Sequence, residues 1–199
     1  MSVPIVLAST SKIRATLLQN ANVAFAAVPP RVDETAVKAA LIVQGEQPRN
    51  IADALAELKA TKISVKSPEA FVIGSDQVLD HNGQLLSKAD SPDAAIDQLK
   101  SLRGNTHRLF SAAVICQGGR PIWRHVGRVN MRMRNFSDTY LEHYVSRNWE
   151  RIRYSVGSYN LEEEGVRLFA AVEGDYFTVL GMPLLETLNY LAMRGALDT

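Results

Sequence analysis

Asp76 lies within "FVIGSDQVLDHNGQLLSK", residues 71 to 88, where an apolar run breaks off into Gly-Ser-Asp-Gln before Val78 and Leu79 resume it. A carboxylate beside an apolar strand is expelled unless it is paired, binds a metal or faces a cleft from a strand end. Open α/β sheets bind ligands beyond the carboxyl ends of their strands. Asp76 therefore reads as a turn aspartate or as a functional acid at a strand end. Lys88 reads as a surface lysine or as a cation for a polyanion held near Asp76. Near the N-terminus, Ser9, Thr10 and Ser11 precede a helical pattern carrying Lys12 and Arg14. Unpartnered helix amides, hydroxyls and two cations together suit a phosphate; the plainer reading is an N-cap with solvated charges. The stretch lacks the glycines of a Walker loop. Asp33 and Glu34 read as solvated loop acids or as oxygen donors to a hard cation such as Mg²⁺. Lys59, on the flank of a helical apolar face, has the reach to snorkel into a cleft.

Other residues carry plainer readings. His81, His107, His125 and His143 show no metal-ligand spacing, and with one cysteine there is no Cys-x-x-Cys, which argues against zinc. Cys116, in the apolar run "AAVIC", reads as a buried reduced thiol. Arg128, Arg132 and Arg134 alternate with Val129, Met131 and Met133, the pattern of a strand with one solvated face rather than a nucleic-acid surface. Trp123 and Trp149 read as packing residues or as base-stacking ones, packing being the commoner case.

The elements that position these residues follow from periodicity. "VPIVLA" (Val3 to Ala8) is a short strand, and Ile13, Leu17 and Leu18 recur at helical spacing after it. Pro29 and Pro30 open a connector that carries the adjacent acids. From Pro48 to about Ile63, Ile51, Leu55 and Leu58 share a helix face. A strand over residues 71 to 80 ends at an Asn82-Gly83 turn, and Ser91 with Pro92 starts a third helix. "HRLFSAAVIC" and "RHVGRVNMRMRNF" form an antiparallel hairpin around Gly118-Gly119. Ser137 caps a further helix, "VRLFAAV" is a strand, and "PLLETLNYLAMRG" is a helix stopped by Gly195. The order is α/β with mixed strand pairing.

The chain of 199 residues, 46% hydrophobic, can bury a real core, and it reads as one folding unit over residues 1 to 199. Its 22 basic and 21 acidic residues leave a net charge of +1, so no global field recruits nucleic acid or an anionic membrane. A polyanionic ligand must be held by a local cluster. The N-terminal apolar run is short and has no basic lead-in, and no segment approaches a membrane span, so a cytoplasmic location is expected.

Taken in order, "LASTSKIRATLL", "VDE", "GSDQV", Lys88, "LRGNTH" and "GDYFTVLGMPL" resemble the Maf family of nucleoside triphosphate pyrophosphatases over nearly the whole chain. The resemblance implies a Maf/ITPase-like α/β fold, in which an elongated mixed sheet and flanking helices form two lobes around a nucleotide cleft. It implies hydrolysis of a nucleoside triphosphate to the monophosphate and pyrophosphate, a divalent metal (Mg²⁺ or Mn²⁺), and a possible homodimer. Asp76 falls on the family's proton acceptor. Ser9, Ser11 and Arg14 fall in its phosphate loop, Glu34 in its acidic element, and Lys59 and Lys88 on its two lysines. The resemblance also departs from the family in places. Ala15 stands where a second arginine is usual, which leaves Lys12 to substitute, Ala89 replaces a proline, and Glu57 is split from Lys59 by Leu58. Ser75-Asp76-Gln77 in place of Ala-Asp-Thr, and Glu162 in place of a glutamine, resemble the branch acting on 7-methyl-GTP rather than that acting on dTTP and UTP.

The reaction so implied is attack of water on the α-phosphorus as nucleotide-pool house-cleaning, with Asp76 either taking the proton or holding the metal. The alternatives are a dTTP/UTP pyrophosphatase, a non-catalytic nucleotide-binding regulator of cell division, and, last, a nucleic-acid module using the arginine stripe.

Overall fold

The computed structural model describes residues 3–198. A seven-stranded mixed sheet runs in the order β2-β1-β3-β5-β6-β7, with β4 paired to β3. Its strands are β1 (Ile5–Ala8), β2 (Ala26–Ala27), β3 (Phe71–His81), β4 (Gln84–Leu86), β5 (Thr106–Gln117), β6 (Arg120–Met133) and β7 (Phe169–Glu173). The helices are α1 (Lys12–Asn20), α2 (Glu34–Val43), α3 (Pro48–Ser64), α4 (Pro92–Leu102), α5 (Asp138–Ile152), α6 (Tyr176–Val179) and α7 (Leu184–Met193). The chain divides into two compact units. The first comprises the chain up to Gln77, Ser111–Gly127 and the chain from Asp175 onward; the second comprises Val78–Phe110 and Arg128–Gly174.

In the first unit, β1 pairs in parallel with β2 and with β3, Ile5 opposite Phe71 and Ala8 opposite Gly74. Parallel neighbours need crossover connections, here supplied by α1 and by α2 with α3. Because side chains alternate along a strand, Ile5, Leu7, Phe71 and Ile73 meet Leu17, Leu18, Leu184 and Leu191 on one face. Val6, Ala8 and Val72 meet Ile63 on the other. That alternation places Gly74 and Asp76 on the face where α3 lies. A Cβ at Gly74 would sit 2.1 Å from the Ala56 carbonyl oxygen and 2.6 Å from the Ala60 nitrogen, so only glycine lets α3 approach this strand.

In the second unit, β3 ends on Asn82 and Gly83, both with positive φ (54° and 84°), and returns as β4 with His81 opposite Gln84. The Ser91 and Ser137 hydroxyls accept from Ala94 N and Tyr140 N as caps of α4 and α5, which pack on each other. Val129, Met131 and Met133 are buried while Arg128, Arg132 and Arg134 are exposed, so Arg128 and Arg132 lie on the solvated face of β6 and Arg134 follows its last residue. His107, Tyr159 and Phe169 form a buried aromatic cluster.

Four expectations are corrected. The connector from Pro29 ends at Asp33, whose carboxylate caps α2 by accepting from Ala36 N, so Glu34 is helical rather than a loop acid. None of the α2 residues is buried, so its sequence lacks the contrast between faces that marks a helix. Asp76 lies mid-way along an eleven-residue strand rather than at its end. In "VRLFAAV", Val166 to Leu168 belong to a 3₁₀ turn, Glu164–Leu168, and the strand starts only at Phe169. The strand after the Gly118-Gly119 turn starts at Arg120, ahead of the expected stretch. Among the described residues no helix is long and apolar enough to cross a membrane.

Candidate active site

The polar centre of the first unit is built on α3. Lys59 is 4% exposed, and its ammonium lies 2.6 Å from Asp76 Oδ1 and 3.0 Å from Glu34 Oε2. Each partner arrives for a local reason. The pleat of β3 turns Asp76 toward α3, Gly74 admits the helix, and the Asp33 cap starts α2 so that Glu34 stands in its first turn. A buried charge survives only when paired, and here one cation serves two acids.

Two further cations lie in the field of these acids. Arg14 is buried, and its Nε donates to the Gly181 carbonyl at 2.8 Å. Burial pulls its guanidinium below the usual range, and Asp76 and Glu34 act against that shift. Lys38, one turn after Glu34, is likewise lowered by desolvation, with Asp76 opposing.

The serines ahead of α1 are already engaged. Ser11 caps the helix, its Oγ accepting from Arg14 N at 3.5 Å, and Ser9 Oγ accepts from Ser11 N at 3.1 Å. Lys12 is exposed on the first turn. Ala15 packs against the apolar cluster of the first unit, and Glu57 is bound by Arg124 at 2.8 Å.

Ser75 and Gln77 point away from Asp76. Ser75 Oγ donates to the carbonyls of Ala112 (2.7 Å) and Gly181 (2.9 Å). Gln77 Nε2 donates to Ser111 Oγ and to the Thr178 and Val179 carbonyls, at 2.9 to 3.1 Å. Both side chains fasten the Thr178–Gly181 segment to β3, and the Gly181 carbonyl in turn holds Arg14. Gly181 adopts φ +100°, and a Cβ there would meet the Arg14 guanidinium at 3.4 Å.

Arg14, Glu34, Lys59 and Asp76 are thus brought together. Lys88 and Glu162 belong to the second unit. Lys88 is exposed in the connection between β4 and α4. Glu162 is also on the surface, yet the neighbouring chain desolvates its carboxyl and raises its pKa, with Glu163 adding to the effect. Sequence reasoning missed Lys38 because α2 went unread; its signal was the spacing of four from Glu34, one helical turn. The Gly181 carbonyl carries no side-chain signal at all.

Among the described residues no group of three His, Cys, Asp or Glu side chains is placed to hold a metal. The two acids that share Lys59 do fit Mg²⁺, which is commonly bound through one or two carboxylates with waters and substrate phosphates completing its shell. Chemically, three cations around two acids can receive a polyanion, and Asp76 can accept a proton.

Residues 4–194 match the family model described as Maf-like protein. A nucleoside triphosphate pyrophosphatase of Ruegeria pomeroyi is 61% identical over the full length of both chains. One from Caulobacter vibrioides is 53% identical over 98% of this chain and 97% of its own. A 7-methyl-GTP pyrophosphatase of Rhizobium etli is 41% identical, again over the full length of both.

Proposed function

From the premise that the chain belongs to the Maf family and is a nucleoside triphosphate pyrophosphatase, we propose that its substrate is 7-methyl-GTP and that Asp76 is the proton acceptor. The observation that carries the reading of the site is the buried Asp76 carboxylate, held by Lys59 with Glu34 and lying in the field of Arg14 and Lys38.

The triphosphate exchanges its hydration for the cations Arg14, Lys38 and Lys59, joined by Lys12 and the hydroxyls of Ser9 and Ser11. A unit charge pair at 4 Å is worth about 4 kcal/mol at a near-surface dielectric. As phosphate oxygens take up Lys59, the Asp76 carboxylate is released to act. A water oxygen attacks the α-phosphorus, its proton passes to Asp76, and the bond to the bridging oxygen breaks so that pyrophosphate leaves with the electron pair. Glu34 and Asp76 would hold Mg²⁺ or Mn²⁺, which supplies positive charge at the phosphate oxygens and acidifies bound water.

The choice of base rests on Gln77, Glu162 and the Rhizobium etli relative's printed activity. N7-methylation makes guanine a ring cation, and Glu162 is the acid that the resemblance to the 7-methyl-GTP branch singles out. Gln77 acts at one remove, through the segment it fastens. Steady-state kinetics with Mg²⁺ or Mn²⁺ test this reading: kcat/KM for 7-methyl-GTP should exceed that for GTP, dTTP and UTP by about 10- to 100-fold, the worth of one charged contact. Glu162→Gln should narrow the gap by harming the methylated substrate. Equal or better use of dTTP or UTP overturns the base assignment and leaves the pyrophosphatase standing.

A further inference from the structure

The first unit carries a second feature that the reaction does not use. Along β6, Arg124 turns toward α3, where its guanidinium binds Asp53 and Glu57 at 2.6 and 2.8 Å. By strand alternation its neighbours Trp123 and His125 project from the opposite face of the sheet, away from the face that presents Asp76. There they meet α7 and line a groove of about 360 Å³ with Glu186, Asn189, Tyr190 and Met193. That volume falls within the range of about 300 to 1,000 Å³ usual for small-molecule sites.

The groove pairs an aromatic wall with an acid. The Trp123 ring is near-parallel to that of Tyr190 (centroids 5.3 Å apart, 18°) and to that of His125 (6.4 Å, 14°). Glu186 Oε2 is buried with no hydrogen-bond partner, and Oε1 stands 3.8 Å from His125 Nε2, too far for a hydrogen bond. The Glu186 side chain is 39% exposed, so its carboxylate can receive N–H donors from the groove. Met193, 73% exposed, supplies an apolar rim. Arg194 is the nearby cation; its guanidinium donates to the Tyr190 hydroxyl and lies over the Phe71 ring, and it does not line the groove.

We propose that this groove is a second ligand site, distinct from the Asp76 centre, for a flat heteroaromatic cation that carries N–H donors: the ring stacks on the Trp123 wall and its donors reach Glu186. Cations are drawn to the faces of electron-rich rings, tryptophan foremost, and the carboxylate adds charge complementarity. A phosphorylated ligand is disfavoured, since its anionic tail would share the groove with Glu186.

The probe is 7-methylguanosine, a flat cation without phosphates, set against guanosine, its neutral counterpart. The readout is the indole N–H resonance of Trp123 in ¹H–¹⁵N spectra of the full chain. Trp149 gives the only other indole signal, and Trp149→Phe assigns the pair. Spectra are recorded at pH 8, where an unperturbed imidazole is neutral. We expect saturable shifts of the Trp123 signal with 7-methylguanosine, affinity about 5- to 10-fold weaker for guanosine, and loss of that preference in Glu186→Gln. Absence of a saturable shift, or equal response to both nucleosides, overturns the site. An unchanged preference in Glu186→Gln also overturns it. If Glu162→Gln rather than Glu186→Gln abolishes the shift, the nucleoside is seated at the reaction site and the proposal falls. The groove stands or falls independently of the substrate assignment, because no triphosphate is cleaved in the measurement.

Discussion

Two cations in the first unit are wired alike and placed differently. Lys59 bridges Glu34 and Asp76, and Arg124 bridges Asp53 and Glu57; each joins two carboxylates, and each involves α3. The Lys59 side chain is 6% exposed and that of Arg124 is 46% exposed. Water competes for the second cluster and screens it, so it contributes little. The first has exchanged hydration for its partners, so any phosphate that displaces one partner meets a charge with few alternatives. Hydrogen-bond geometry alone does not separate a structural tie from a reactive one. Burial does.

The sharpest way to break the comparison is chemical. Asp76→Asn preserves shape but can neither take a proton nor serve as an anionic ligand, and pyrophosphate release should fall by about 10² to 10⁴. Near-normal kcat would remove Asp76 from the mechanism. The His107 cluster of the second unit shows burial without a counter-charge: desolvation first, then the nearby His81, lower the His107 pKa to about 3. The folded protein keeps this imidazole neutral while the unfolded chain protonates near pH 6.5. Its contribution is therefore intact above pH 6.5 and is lost as pH falls from there toward 3, by at most about 5 kcal/mol. His107→Gln should flatten that acid limb in denaturant titrations, and an unchanged limb would place the acid sensitivity elsewhere.

Lys59→Ala strands two acids, one of them buried, and should cost about 3 to 5 kcal/mol of unfolding free energy as well as activity. Lys59→Met combined with Asp76→Leu should recover most of the stability and none of the turnover, which separates the two roles. Ser75→Ala removes one tie on the Gly181 carbonyl and so loosens Arg14. A several-fold rise in KM with kcat nearly kept is expected, about 1 kcal/mol of lost binding; a fall in kcat alone would contradict a positioning role. Smallest of all, Arg124→Ala should cost only about 0.2 to 1 kcal/mol, and a loss matching that of Lys59→Ala would end the contrast.

The sequence made legible those features that a local pattern encodes. Pro48 and Pro92 open α3 and α4, Ser91 and Ser137 cap α4 and α5, Gly118-Gly119 turns β5 into β6, and the alternation of Val129, Met131 and Met133 marks the buried face of β6. Lys59 could be placed on a flank, but its partners depend on which helix lies over which strand. Glu34 was named as an acid without its helix, because a segment with no buried face leaves no periodic trace. Asp76 looked terminal because its charge interrupts an apolar run; the strand continues because Lys59 compensates it. Gln77, which its type alone marks as resembling the 7-methyl-GTP branch, is held by main-chain carbonyls, a tie between positions about a hundred residues apart that no local pattern announces.

Sequence separation also dates the parts of the site during synthesis. Lys59 and Asp76 are 17 residues apart, whereas Arg14 meets the Gly181 carbonyl across 167. Short loops close at small entropic cost and long ones at greater cost, so the acid and its lysine can associate once β3 has left the ribosome. The arginine must wait until Gly181 has been made. A nascent chain stalled before Asp175 would hold Asp76 and Lys59 but lack the carbonyl that fixes Arg14, so the arginine is held in place only after the lysine and its acid can already have met.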